Sequence, residues 1–244
     1  MQWTDDALVL GSAAHGENHT ITTLFCREHG AMRAVVHGGQ GRTKGAMLQP
    51  GNRVQAVWRG RTDDDLGAFE LELDQAHSAG AMSGRLSLLG LGAMTELLMR
   101  ALPHGSAYPA LFAATDAVLS HIHDADIFPV LMVRWEIGLL SALGFGLTLD
   151  KCAATGALLE DGADLVFVSP KSGAAVSMDA GMPYQAKLLP LPPFLIGRGE
   201  ADLPDLVAAY KMTGHFLQNW LLAPDGGHLP EAREQMIRRL GNRL

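Results

Sequence analysis

Arg53-Val54-Gln55-Ala56-Val57-Trp58-Arg59-Gly60-Arg61 carries the alternation that decides the first domain. In an extended chain successive side chains point to opposite faces. Val54, Ala56 and Trp58 then share an apolar side, while Arg53, Gln55, Val57, Arg59 and Arg61 share the other. The stretch predicts a half-buried strand with cations on its outer surface. Working outward, residues 7–11, 21–26, 31–37 and 68–73 are similar short apolar runs bounded by turn residues. Glu28-His29-Gly30 offers a tight turn, and the glycine-rich segment 38–45 reads as a mobile, cationic loop between strands. About five short strands within residues 1–80 suit a small OB-fold barrel, an architecture that binds nucleic acid across one face and its loops.

From residue 81 the apolar period becomes helical. Leu91, Met94, Leu98 and Ala101 fall on one face. Pro129 can open a helix that passes Trp135 and Ile137 and stops at Gly144. Leu206, Ala209, Tyr210, Thr213, Phe216, Leu217 and Trp220 form an amphipathic stripe, and Pro230 opens a last helix through Met236, Ile237 and Leu240. Between them lies an irregular insert at about 150–187, rich in Gly, Ser and Ala. The expected fold class is α+β: an OB-fold barrel over residues 1–80, then a mainly helical domain over 81–244. Of the 244 residues, 48% are hydrophobic, enough for a real core, and two cysteines exclude a disulfide framework. The longest apolar stretch, 128–145, is broken by Arg134 and Glu136, so no membrane span is expected. The first residues lack the basic-then-apolar order of a signal peptide, which makes the cytoplasm the default.

The formal net charge is −7, yet the window 27–61 holds seven basic residues (Arg27, Arg33, Arg42, Lys44, Arg53, Arg59 and Arg61) against one acid, Glu28. That is a local excess of six, and nucleic acid responds to the nearby field, not to the sum over the chain. Arg33 and His37 align on one side of their strand as Arg53, Arg59 and Arg61 do on theirs. Two strands presenting cations on one side is what a groove tracking a phosphate backbone requires. Aromatic side chains for base stacking are scarce: Trp3, Phe25, Trp58 and Phe69, with Trp58 assigned to the core. Binding dominated by the backbone and tolerant of sequence is therefore expected.

Catalytic readings find little support. The loop Gly38-Gly39-Gln40-Gly41-Arg42-Thr43-Lys44-Gly45 lacks the Gly-Lys-Ser/Thr ending that a phosphate-binding P-loop needs. Ten histidines include no pair at metal-ligand spacing, since His121 and His123 fall on different faces of a helix. No Ser, Cys or carboxylate constellation stands out, and no cofactor or metal is expected.

An ordered series of segments resembles the RecO family of recombination mediators. It comprises Gly16-Glu17-Asn18-His19, Leu24-Phe25-Cys26-Arg27-Glu28-His29-Gly30, Leu48-Gln49-Pro50-Gly51-Asn52, Arg134-Trp135-Glu136, Leu143-Gly144-Phe145-Gly146-Leu147, Cys152-Ala153-Ala154-Thr155-Gly156 and Val168-Ser169-Pro170-Lys171-Ser172-Gly173. The resemblance implies an N-terminal OB-fold, a helical domain and an inserted zinc module. It also implies binding to single- and double-stranded DNA and annealing of single strands. With RecR, such a protein assists RecA in loading onto DNA coated by single-strand-binding protein, so RecA is an indirect partner. Zinc-bearing relatives carry two Cys-x-x-Cys pairs in the insert, and the matching positions here are Cys152, Thr155, Ser177 and Ala180. One thiolate of four remains where structural zinc wants four soft ligands, so a degenerate, zinc-free insert is expected. In some relatives a groove of the helical domain takes the acidic, Phe-ended tail of single-strand-binding protein. Arg134, Lys187, Arg198 and Lys211 are the cations that could rim it.

The expected site is therefore Arg27, Arg33, His37, Arg42, Lys44, Arg53, Arg59 and Arg61. Two other readings stand beside it. One is a protein–protein scaffold whose β-domain does not bind DNA directly. The other is an enzyme whose polar groups converge in a deep pocket.

Overall fold

Alternation in the first part of the chain is realised as five strands: β1 (Gln2–His15), β2 (His19–Cys26), β3 (Gly30–Val36), β4 (Arg53–Arg59) and β5 (Ala68–Gln75). This is the arrangement in a computed structural model that describes residues 1–62 and 65–242. The strand order is β1-β2-β3-β5-β4, with β4 returning to β1 to close an OB-fold barrel. Every pairing is antiparallel except β3 with β5, which run parallel and meet through one residue pair, Val35 with Ala68. Val9, Leu24, Val36, Val54, Trp58 and Phe69 fill the lumen. Trp58 is fully buried, as its place in the alternation predicted. Gly67 (φ +60°) lets the β4–β5 loop fold over the indole, where a Cβ would sit 2.5 Å from Trp58 Nε1.

The segment expected to be a mobile loop is instead partly helical. α1 (Arg42–Met47) follows β3, and Lys44 Nζ donates to His37 O at 2.7 Å. Its end is fixed by tertiary bonds: the buried Asn52 amide donates to Ala46 O and Met47 O, each at 3.1 Å. The Asn52 side-chain oxygen accepts from Ser78 N at the start of α2 (His77–Ala81), so one side chain serves two short helices. α3 (Arg85–Ala101) and α4 (Pro109–Ser120) complete the helices that pack on the barrel. Phe25 leaves the outer face of β2 to meet Phe112 edge-on at 5.6 Å. Gly30, at φ +66°, admits the backbone of Ser106 where a Cβ would lie 2.0 Å from its carbonyl oxygen.

The chain divides into two compact units, Met1–Phe128 and Pro129–Leu244, so α2, α3 and α4 group with the barrel. The second unit is built from α5 (Ile127–Ala142, which starts at the division), α7 (Leu203–Phe216) and α8 (Glu231–Gly241). Past α5, the chain reverses at Gly144 (φ +88°), where Phe145 N bonds Leu140 O across the turn. The insert expected to be irregular is a small sheet of order β6-β8-β7-β9, formed by β6 (Thr148–Cys152), β7 (Leu165–Val168), β8 (Ala174–Ser177) and β9 (Leu189–Pro190). Short apolar runs joined by a turn ending at Gly173 (φ +67°) make the β7–β8 hairpin, a signal diluted by the surrounding Gly and Ser. α6 (Met178–Gly181) follows β8.

Inside the second unit a charged pair is fully enclosed. Arg233 donates to Glu136 Oε1 at 2.7 Å and Oε2 at 2.8 Å, to Tyr210 O at 2.8 Å and to Thr213 Oγ1 at 3.0 Å. Glu136 also accepts from Thr213 Oγ1. Removing one partner strands a buried charge, which costs about 3–5 kcal/mol. Glu136→Ala should lower the stability of this unit by about that much in urea unfolding, while the double change Glu136→Leu with Arg233→Met should recover most of the loss.

Candidate nucleic-acid interface

The barrel sorts the seven basic side chains into two groups. Arg53, Gln55, Val57 and Arg59 point outward from β4, as the alternation required, but the neighbouring strands bring acids to the same face. In β5, Glu70 stands opposite Val57 and Glu72 opposite Gln55, and in β1, Asp6 is opposite Gln55. Arg59 pairs with Glu70 at 2.5 Å and also donates to Gln2 Oε1 at 3.1 Å. Arg53 is held by two carboxylates, Asp74 at 2.5 Å and Asp116 at 2.6 Å. Asp116 in turn bonds His77 Nε2 at 2.9 Å. Burial works against the Asp116 carboxylate, but the hydrogen bonds from His77 and Arg53 outweigh it and hold the carboxyl below its usual range. Arg27 pairs with Asp6 at 3.1 Å and lies over the Phe112 ring, and Arg61 reaches Asp65 at 3.8 Å.

Arg33, Arg42 and Lys44 form the second group. Among the described residues they make no ion pair, and they follow one another along β3 and α1. Arg33 projects from β3 opposite Thr23 of β2 and is exposed, while Met32 and Ala34 beside it face the lumen. His37 is exposed at the end of β3 and meets His19 edge-on at 4.8 Å. Gln40 Nε2 donates to Gly16 O and His19 O at 3.0 Å each, so the β1–β2 turn is joined to the segment carrying Arg42 and Lys44. Outward side chains of β2 and β3 above the helix-covered Phe25 are Ile21, Thr23, Arg33 and Val35, with no acid among them. This is the β2–β3 face on which OB-folds bind oligonucleotides. None of the four barrel aromatics is exposed: Trp3 is partly buried against His29 and Trp58, and the other three are buried.

Comparison with known proteins agrees with this architecture. Residues 1–74 match the family model of Recombination protein O N terminal, and residues 83–226 match Recombination protein O C terminal. The chain belongs to the RecO family. A protein of Rhodospirillum centenum named DNA repair protein RecO is 43% identical over 239 residues, covering 98% of this chain and 94% of its own. Relatives of the same name from Methylobacterium nodulans (44% over 243 residues, 97% of each chain) and Ruegeria sp. (39% over 246 residues, 100% of each) align as fully. Membership of this family supports a DNA-repair function.

The four cations named for the second unit are differently placed. Arg134 donates to Phe194 O at 2.7 Å, and Arg198 donates to Ala163 O at 3.0 Å and pairs with Asp164 at 3.7 Å. Lys187 is exposed at the end of the turn Met182–Lys187. Lys211 lines a groove of about 470 Å³ between α7 and α8, together with Leu189, His215, Leu229, Ile237 and Arg238. Among the described residues no helix is long and apolar enough to cross a membrane.

In the insert, Cys152 Sγ lies 3.5 Å from Ser177 Oγ and accepts from Ser177 N at 3.3 Å. Burial opposes ionisation of this thiol, but hydrogen bonds from the hydroxyls and amides of Ser177 and Thr155 prevail and lower its pKa to about 6. Burial pushes Cys26 the other way, well above the usual thiol range. Thiolate absorbance near 240 nm should therefore rise with a midpoint close to pH 6 and vanish in Cys152→Ser. With a folded value below the unfolded one, the associated stability is complete above about pH 8.5 and is lost as pH falls towards 6.

Proposed function

We propose that the protein is a non-catalytic recombination mediator in DNA repair that binds and anneals single-stranded DNA on the β2–β3 face of its barrel. The observation that carries this reading is the charge sorting. Four of the seven basic side chains are held by carboxylates, and the three with no ion pair among the described residues sit together in sequence on β3 and α1. Arg33, Arg42, Lys44 and His37 form the centre of the proposed contact, and Arg27, Arg53, Arg59 and Arg61 flank it. Each unpaired cation placed on a phosphate releases a condensed counterion, which supplies affinity without reading sequence. Neutralising two backbones at one surface lowers their repulsion and lets complementary bases meet. Double-stranded DNA presents the same phosphates and binds by the same term. The absence of an exposed ring among the four barrel aromatics favours backbone contacts over base stacking.

Family membership supports the wider role. With RecR, the protein would help RecA load onto DNA coated by single-strand-binding protein, acting in the cytoplasm at the nucleoid. Residues 1–80 carry the DNA-binding role in this scheme and 81–244 the partner contacts. For the acidic, Phe-ended tail of single-strand-binding protein, the α7–α8 groove is the favoured seat. Lys211 at its rim and apolar Leu189, Leu229 and Ile237 in its lining match both features of that tail. The insert is proposed as the metal-free remnant of a zinc module: Ser177 and Thr155 hydrogen-bond the one remaining thiol where relatives place cysteines. Elemental analysis giving about one zinc per chain would overturn that assignment.

The triple variant Arg33→Ala, Arg42→Ala, Lys44→Ala should bind a labelled single-stranded oligonucleotide more weakly whatever its sequence. By fluorescence anisotropy over a salt series, the slope of log K against log salt should fall in magnitude by about 2, since each single-strand phosphate contact contributes about 0.7. A double variant of the ion-paired Arg53 and Arg59 to Ala should change that slope less, and an equal or larger change would move the interface to β4. Lys211→Glu should weaken a tail-derived acidic peptide ending in Phe about tenfold while leaving oligonucleotide affinity unaltered.

A further inference from the structure

The barrel closes through long strand pairings everywhere except at the short seam between β3 and β5. β5 pairs with β4 along its length, yet on its other edge it meets β3 at Ala68 alone. Among the described residues, Phe69–Gln75 therefore have no strand beside them on that edge. In an antiparallel strand alternate residues direct both N–H and C=O to the same side, so this edge presents a row of peptide groups. Unpaired edges of this kind are ready templates for another strand. In this barrel the gap is flanked by α1 and α2, and α1 has no buried residue. What lies between them is a groove of about 760 Å³ lined by Ala46, Met47, Leu71, Leu73, Ala79 and Met82, with Lys44 and Glu72 also at its margins. Leu73 is 45% exposed and Met82 67%, so the groove presents apolar surface to solvent.

Alternation along β5 specifies what could fill it. Leu71 and Leu73 turn to the groove, Glu70 and Asp74 turn to the outer face, and Glu72 lies between them at the groove margin. Glu70 and Asp74 are already engaged by Arg59 and Arg53, whereas Glu72 has no ion pair among the described residues. A strand added to this edge would place alternate side chains beside Leu71 and Leu73, where apolar groups fit, and the intervening ones beside the acids. Opposite charges on neighbouring strands are favourable, and like charges are not.

We propose that the free edge of β5 is a docking site for an extended segment of a partner protein, in which apolar residues alternate with Lys or Arg. The segment joins the barrel as a further strand, its apolar side chains entering the α1–β5–α2 groove and a basic side chain lying against Glu72. Main-chain bonds supply affinity and the alternation supplies register, the mode known as strand augmentation. Nucleic acid is disfavoured here because the outer face of β5 is acidic. The site shares Lys44 at its margin with the proposed DNA face, but the strand edge and Glu72 that define it lie on β5, and it does not depend on DNA binding.

The test uses the full chain and a fluorescein-labelled peptide of alternating valine and lysine, about seven residues long to match a strand. The peptide should bind, and at saturation it should slow amide hydrogen exchange across Phe69–Gln75 by at least tenfold. Met82→Glu and Glu72→Lys, both at exposed positions, should each weaken it at least tenfold. An oligolysine of equal charge should leave exchange in Phe69–Gln75 unchanged. The proposal is overturned if the peptide fails to bind up to about 1 mM. It is equally overturned if binding leaves those amides unprotected, if oligolysine protects them as well, or if neither substitution weakens binding. Protection that rises with protein concentration in the absence of peptide would assign the edge to a second copy of this chain and overturn the heterologous partner.

Discussion

Arg53 is the point at which the charge of the first unit is allocated. Its guanidinium is shared between Asp74 beside it on the β4–β5 hairpin and Asp116 on α4, and Asp116 also holds His77 at the start of α2. One cation thus fastens two strands and two helices. The site is half-buried, so these charge-assisted bonds are worth more than the exposed Arg59–Glu70 pair, which sits in high dielectric and contributes little. The consequence reaches across the barrel. Because the helices seat on this network and over Phe25, they take one side of the sheet, and the upper part of β2 and β3 stays open.

That distribution reconciles an acidic chain with the proposed nucleic-acid surface. At physiological salt a charge is screened beyond about 8 Å, so most of the net −7 is invisible to a ligand on β3. What matters is whether a carboxylate lies within reach of each cation. On β4 it does, because β5 supplies Glu70, Glu72 and Asp74 at alternate positions. On β3 the antiparallel neighbour is β2, whose outward residues Ile21 and Thr23 carry no charge. In the closed barrel four of the seven cations are held by carboxylates, while Arg33, Arg42 and Lys44 make no ion pair among the described residues.

Much of this is legible in the sequence. The alternation in 53–61 assigns Trp58 to the core and the arginines outward, and both are so placed. The turn at Gly30 and the terminus of α5 at Gly144 also follow from local chemistry. The acids that neutralise Arg59 and Arg53 were partly readable as well: Glu70, Glu72 and Asp74 alternate in the strand that a hairpin must lay beside β4, but they lie outside the cation-rich window. Asp116 was not readable, since 63 residues separate it from Arg53 and only the packing of α4 brings it there. α1 was missed for a similar reason. Two glycines and a threonine within residues 41–45 weaken helix propensity, and the element is held by the Asn52 amide, a tertiary contact. The insert sheet was hidden by the shortness of its strands.

Lys44 and Arg53 show how a fold can position a cation with opposite consequences. Both are anchored by short hydrogen bonds, so neither carries the entropy of a free surface side chain. Arg53 is anchored by carboxylates, which fix it and cancel its charge. Lys44 is anchored by the carbonyl of His37, a neutral acceptor that fixes the ammonium and leaves its charge uncancelled. A phosphate approaching Arg53 must compete with two anions already in place, whereas at Lys44 it meets a held charge with donors to spare, since an ammonium has three. The acceptor type, more than the number of cations, therefore decides which part of this barrel can attract a polyanion. A sequence shows the cations but not what each of them is bonded to.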